Sequence, residues 1–147
     1  MDVVIGMGAC TDSNYAYQYG LPGTFAPIAD YELLNRAVET AKRQGTNVVV
    51  GNVLSSDVFY NAMSNVNDLW RDMGVLAVEM EAAALYMNAA KAGKKALCML
   101  TIFGSSVYGR ILKCRGPSAW IRQNDGNCTG TGIMNNKSYC SQVVSRE

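Results

Sequence analysis

Short blocks of Val, Ile, Leu and Met alternate with amphipathic stretches over the first hundred residues. Asp2 to Ala9 is rich in Val, Ile and Met and hardly alternates, the pattern of a strand buried on both faces. Asp30 can cap a helix running to Gln44, with Leu34, Ala37, Val38 and Ala41 as its apolar stripe and Gly45 as its stop. A Val-rich strand follows over Asn47 to Val53, then Ser55-Ser56-Asp57 as a loop. A short helix is predicted over Asn67 to Met73, ended by Gly74. The remaining elements are a strand at 75–79, a helix at 81–92 stopped by Gly93, and a strand at 96–102. Strands alternating with helices predict a layered α/β fold.

Two stretches fall outside this rhythm. Cys10 to Pro27 is a polar loop holding Gly and Tyr; its 18 residues exceed the ~12–15 usual for a structureless connection, which points to a functional loop. After Ile102 the helical stripes stop, and 6 of the 14 glycines fall in the last 45 residues. Charge divides at the same place. Residues 1–102 carry 7 Lys and Arg against 10 Asp and Glu, and residues 103–147 carry 6 against 2, so the net +1 conceals an acidic body and a basic tail.

Composition narrows the chemistry. With 49% apolar residues in 147 the chain can bury a real core, and nothing suggests disorder of the body or steering toward nucleic acid. No apolar run approaches the ~20 residues needed to cross a bilayer, and Met1 leads straight into a strand pattern without a signal-peptide layout, so a cytoplasmic location is expected. Five cysteines, with Cys10 and Cys98 in apolar surroundings, fit free thiols in a reducing compartment. Cys114, Cys128 and Cys140 lack any Cys-x-x-Cys pair, and the chain has no histidine, so no metal is expected and acid-base work falls to carboxylates.

The most telling segment is Val75-Leu76-Ala77-Val78-Glu79-Met80-Glu81-Ala82-Ala83-Ala84. A short apolar strand ends in two carboxylates flanking a methionine, and an alanine-rich helix begins at once. The end of a strand in an α/β sheet is where ligands bind, and a carboxylate there can accept two hydrogen bonds from vicinal hydroxyls. Val78-Glu79-Met80-Glu81-Ala82-Ala83 resembles the signature of the nucleoside phosphorylases. The opening Asp2-Val3-Val4-Ile5-Gly6-Met7-Gly8-Ala9-Cys10-Thr11-Asp12-Ser13 looks like their bacterial trimer-of-dimers purine branch, and Asp57-Val58-Phe59-Tyr60 falls about where that branch places its base-stacking aromatic. The resemblance runs from residue 2 to about 102.

The resemblance implies a three-layer α/β/α fold with a central mixed sheet, here incomplete because the N-terminal part of the domain is absent. Residues 1–102 then form the C-terminal portion of a nucleoside phosphorylase domain, and 103–147 a divergent, poorly ordered tail. The implied reaction is phosphorolysis of a purine nucleoside to free base and ribose 1-phosphate, with phosphate as co-substrate, no cofactor, and a homo-oligomer, hexameric in the family. No nucleic-acid or membrane partner is implied. Glu81 would hold the ribose hydroxyls; alternatively it is a first-turn carboxylate complementing its helix dipole. Met80 would pack on the sugar face, or simply fill core. Glu79 would lie near the sugar-base junction, or be a solvated strand end. Phe59 would stack on the purine, or be plain core, with Tyr60 as a weaker neighbour; Val78 would line the base pocket, or be an ordinary strand valine. Gly6-Met7-Gly8 is read as close packing rather than a phosphate loop.

Where the family places a Ser-Asp pair carrying the catalytic acid, this chain has Phe103-Gly104, so no catalytic residue is assigned. One hypothesis for the break is a slip of one nucleotide near Phe103. Read one base forward with permitted codons, Phe103 to Ser105 can give S-D, Leu112 to Ser118 can give S-S-A-E-D-R, and Trp120 to Thr131 can give G-Y-D-K-M-M-E-I-A-L-E-L. Lacking the acid and the family's phosphate loop, the chain alone is expected to be inactive. The alternatives are a non-catalytic fragment or assembly subunit docking on full-length relatives, and a uridine phosphorylase or nucleosidase of the same fold.

Overall fold

The computed structural model describes residues 2–102, together with the backbone of 112–113 and 140–145. Strand β1 spans Asp2–Thr11, helix α1 Tyr31–Gln44, β2 Val48–Ser55, α2 Val66–Asp72, β3 Ala77–Glu79, α3 Ala82–Lys91 and β4 Lys95–Ile102. Two further strands, β5 (Leu112–Lys113) and β6 (Cys140–Ser145), flank the sheet, whose order is β5-β3-β2-β1-β4-β6. β1, β2 and β3 run parallel, and β4 returns antiparallel beside β1, so the sheet is mixed as expected. The rest of the tail, Phe103-Gly104 and the three proposed frame-slip segments among them, lies almost wholly outside the described residues.

Helix α1 forms where its caps dictate. The Asp30 carboxylate accepts the Leu33 amide at 3.0 Å, and Gly45 takes the left-handed conformation (φ 65°) that lets its N–H return to the last turn. The helix lays Leu33, Leu34, Ala37 and Val38 over Ile5, Leu97 and Met99 on one face of the sheet. Helix α3 covers the other face, where Ala82, Ala83, Tyr86 and Met87 pack with Val4, Val53, Ala77, Cys98 and Leu100. Val4 and Ile5 thus serve opposite layers, as strand alternation requires, and the three-layer α/β/α arrangement follows.

Three elements differ from the sequence expectation. The strand predicted at 75–79 begins at Ala77, because Val75 is still tied to Trp70 O after the Gly74 turn. Ser55 belongs to β2, not to the loop after it, since it pairs with Thr11 and Glu79. Within the 10–27 loop, β1 continues to Thr11 and Tyr15–Tyr19 coil into a short 3-10 helix that packs Tyr15 and Tyr19 against the α3 core. The Tyr19 hydroxyl donates to Asn88 Oδ1, and Asn88 Nδ2 donates to the Tyr15 hydroxyl, both at 2.7 Å, so part of that loop has a structural job on α3.

The Gly6-Met7-Gly8 segment is a bulge. Register against β2 shifts between Gly6 and Gly8, leaving Met7 unpaired there and half-exposed. Both glycines sit in close quarters: a Cβ on Gly8 would collide with Asn52 Oδ1 at 2.7 Å, and one on Gly6 would make a tight 3.3 Å contact with the Tyr86 hydroxyl. Close packing is therefore the role of these glycines.

Candidate functional site at the carboxyl rim of the parallel strands

The parallel strands β1, β2 and β3 end together, and side chains stitch their ends. The Thr11 hydroxyl donates to Ser55 O at 2.8 Å and accepts the Ser13 amide. The Ser56 amide reaches Glu79 O at 2.9 Å. Across the rim, Asp12 uses both oxygens on the segment leaving β2: Oδ2 accepts the Ser56 hydroxyl at 2.7 Å and Oδ1 the Asp57 amide at 2.9 Å. The Ser56 oxygen in turn accepts the Val58 amide at 3.2 Å.

The two acidic residues of the Glu-Met-Glu stretch divide in character. Glu79 is the last residue of β3 and is buried, 3% exposed. One of its oxygens accepts the Ser55 hydroxyl. The other accepts the amides of Glu81 at 2.6 Å and Ala82 at 2.7 Å, while the Ala83 amide goes to Ser55 Oγ at 2.8 Å. Amides that the first turn of α3 would leave without helical partners are thus met by β2 and β3. A solvated strand end is ruled out for Glu79. Burial pushes its carboxyl above the ordinary range, against the opposing pull of its Ser55 hydroxyl and its two amide donors.

Glu81 stands at the N-cap position of α3, yet its side chain makes no capping bond, because Glu79 and Ser55 have taken those amides. Its carboxylate is exposed at the rim, beside Met80, which is 42% exposed and so not core filling. Val78 is half-buried one residue before Glu79. Phe59 and Tyr60 leave the same rim after β2, edge to face with ring centroids 4.8 Å apart, Phe59 42% and Tyr60 82% exposed. Val78, Glu79, Met80 and Glu81 lie where β3 passes into α3, and Phe59 and Tyr60 follow the end of β2 by four and five residues, outside any strand. Ser55, Ser56 and Asp12 were not singled out. The sequence signal for Ser55 is a hydroxyl closing a buried Val-Leu strand, where a satisfied polar group is needed.

The N-terminus of α3, a buried and internally bonded carboxylate and an exposed second carboxylate lie together where β3 passes into α3. No group of three or more potential metal-ligating side chains gathers among the described residues. Nor does any helix among them have the length and apolarity to cross a membrane.

A family model described as the phosphorylase superfamily matches residues 1–111. The chain belongs to the phosphorylase superfamily. Among its relatives in that superfamily are the DeoD-type purine nucleoside phosphorylases of Shewanella frigidimarina (strain NCIMB 400) and Shewanella sp. (strain MR-4), and the DeoD-type 2 purine nucleoside phosphorylase of Shewanella oneidensis. Each is 50% identical over 101 residues, which are 69% of this chain and 43% of the relative. The chain thus spans less than half the length of these superfamily members, and its α/β fold corresponds to a part of their domain.

Proposed function

We propose that this chain carries the nucleoside-holding rim of a purine nucleoside phosphorylase. Glu81 accepts the two ribose hydroxyls, Met80 lies against the sugar, and Phe59 stacks on the purine with Tyr60 beside it and Val78 lining the base side. Glu79 holds the turn that presents Glu81. In the reaction this implies, a phosphate oxygen bonds to the anomeric carbon as the glycosidic C–N bond breaks; the electron pair passes to the purine, which takes a proton. Products are the free base and ribose 1-phosphate.

The observation that carries this reading is the exposed, uncommitted Glu81 carboxylate. A first-turn carboxylate ordinarily has a helix to serve. Here Glu79 and Ser55 accept the Ala82 and Ala83 amides, and the exposed Glu81 side chain makes no capping bond, which supports a ligand role for it. The relatives, named purine nucleoside phosphorylases, suggest the substrate class.

Turnover by the 147-residue chain alone is expected to be negligible, because the acid and the phosphate grip are not among the side chains assigned to the rim. Two measurements test the proposal. Calorimetric titration with adenosine and inosine should show saturable binding that Glu81→Ala abolishes; an unchanged affinity in that variant overturns the assignment. A phosphorolysis assay should show no ribose 1-phosphate release, and turnover at the level of a full-length relative would overturn the prediction of inactivity.

A further inference from the structure

We propose that Asp12 is a positioning residue for the base side of the site, acting through the turn that presents Phe59. The inference rests on the reading of Phe59 as the purine-stacking ring. Between the end of β2 and Phe59 lie only Ser56, Asp57 and Val58. Two of these three are held by one carboxylate from a different strand end, 45 positions away at its furthest partner. The Ser56 hydroxyl gives its proton to Asp12 and takes the Val58 amide, so the restraint passes along the turn to the residue before Phe59. Charge-assisted bonds of 2.7 and 2.9 Å are the stronger kind, and they hold a turn in which Ser56 is buried and Asp57 and Val58 are exposed.

The need for such a device follows from where Phe59 sits. It lies outside any helix or strand, between β2 and α2, and is 42% exposed. A stacking ring is useful only if its plane is fixed before the ligand arrives, since ordering it on binding costs affinity. Ser56 is also anchored from the other side, by its amide on Glu79 O, so the turn is held between β1 and β3. Asp12 thereby couples the base side of the rim to the Glu79 turn that presents Glu81.

The test is a double-mutant cycle on the 147-residue chain, with adenosine affinity read by calorimetry and folding by thermal melting. Asp12→Ala should weaken adenosine binding at least about fivefold, the low end of what base stacking supplies. In a Phe59→Ala background the same change should have no further effect, because the ring it orients is gone. Asp12→Asn, which keeps one acceptor oxygen, should recover part of the affinity. Should Asp12→Ala fail to fold, Ser56→Ala removes one of the two bonds with Asp12 intact and should weaken binding in the same Phe59-dependent way. Equal losses with and without Phe59 overturn the inference while leaving the nucleoside reading in place. A wild-type chain that binds no adenosine overturns that reading, and the positioning role falls with it.

Discussion

Glu79 and Glu81 differ by two positions in sequence and by almost everything else in environment. The sequence reading places both near a ligand site, and a strand ending in Glu-Met-Glu gives no hint of which carboxylate turns inward. Burial decides it: the last strand residue points into the layer under α3, where only a fully bonded carboxylate is tolerable. Replacing Glu79 with Gln sets an NH2 group against either the Ser55 hydroxyl or two amides. Urea unfolding should then show a loss of about 1–3 kcal/mol, whereas Glu81→Ala should stay within about 0.5 kcal/mol of the parent. A loss for Glu81→Ala as large as that for Glu79→Gln would show that Glu81 also carries a structural load. The raised Glu79 pKa also has a sign. The folded state holds this proton to higher pH than the unfolded chain does, so its stabilising contribution is full below the ordinary 4.5 and is lost as pH rises through the elevated value. Urea midpoints measured from about pH 4 to about pH 8 should carry a declining component that Glu79→Gln removes.

At the scale of elements, what the sequence revealed was local. Helix α1 was readable to the residue because Asp30 and Gly45 state its ends and the stripe from Leu34 to Ala41 states its buried side. What stayed hidden depended on contacts distant along the chain. Tyr86 is the clearest instance: its hydroxyl donates to Gly6 O at 2.5 Å and accepts the Cys98 amide at 2.9 Å, joining α3 to two strands at the bulge. Nothing near position 86 announces this, since one partner lies 80 residues earlier. Tyr86→Phe keeps the ring and removes both bonds. The expected cost is about 1–3 kcal/mol by thermal or urea unfolding, with faster amide exchange around Cys98. An unchanged midpoint would show that the hydroxyl is dispensable. The 10–27 loop was singled out for its length, but its Tyr-Asn-Tyr latch on α3 could not be foreseen from composition.

For the whole molecule the question is what the sheet leaves uncovered. β3 pairs with β2 only from Val53 onward, so over Val48–Gly51 the outer edge of β2 carries no strand among the described residues. Val49 and Val50 point to opposite faces there and are both exposed, at 43% and 38%. An open edge bearing β-branched side chains on both faces is a template for further pairing, and natural sheets usually guard such edges with charge or proline. This chain has neither at those positions. The relatives, of whose length it spans 43%, carry additional chain that could serve as cover. On its own the protein should therefore self-associate in a concentration-dependent way. Completing the burial of a half-exposed valine contributes roughly 1 kcal/mol, so Val49→Lys and Val50→Lys together should weaken association by well over tenfold, with like charges adding to the effect. Light scattering and sedimentation across a dilution series would measure this. If the double variant associates as strongly as the parent, the contact lies elsewhere, and the β2 edge is already satisfied by the molecule's own chain.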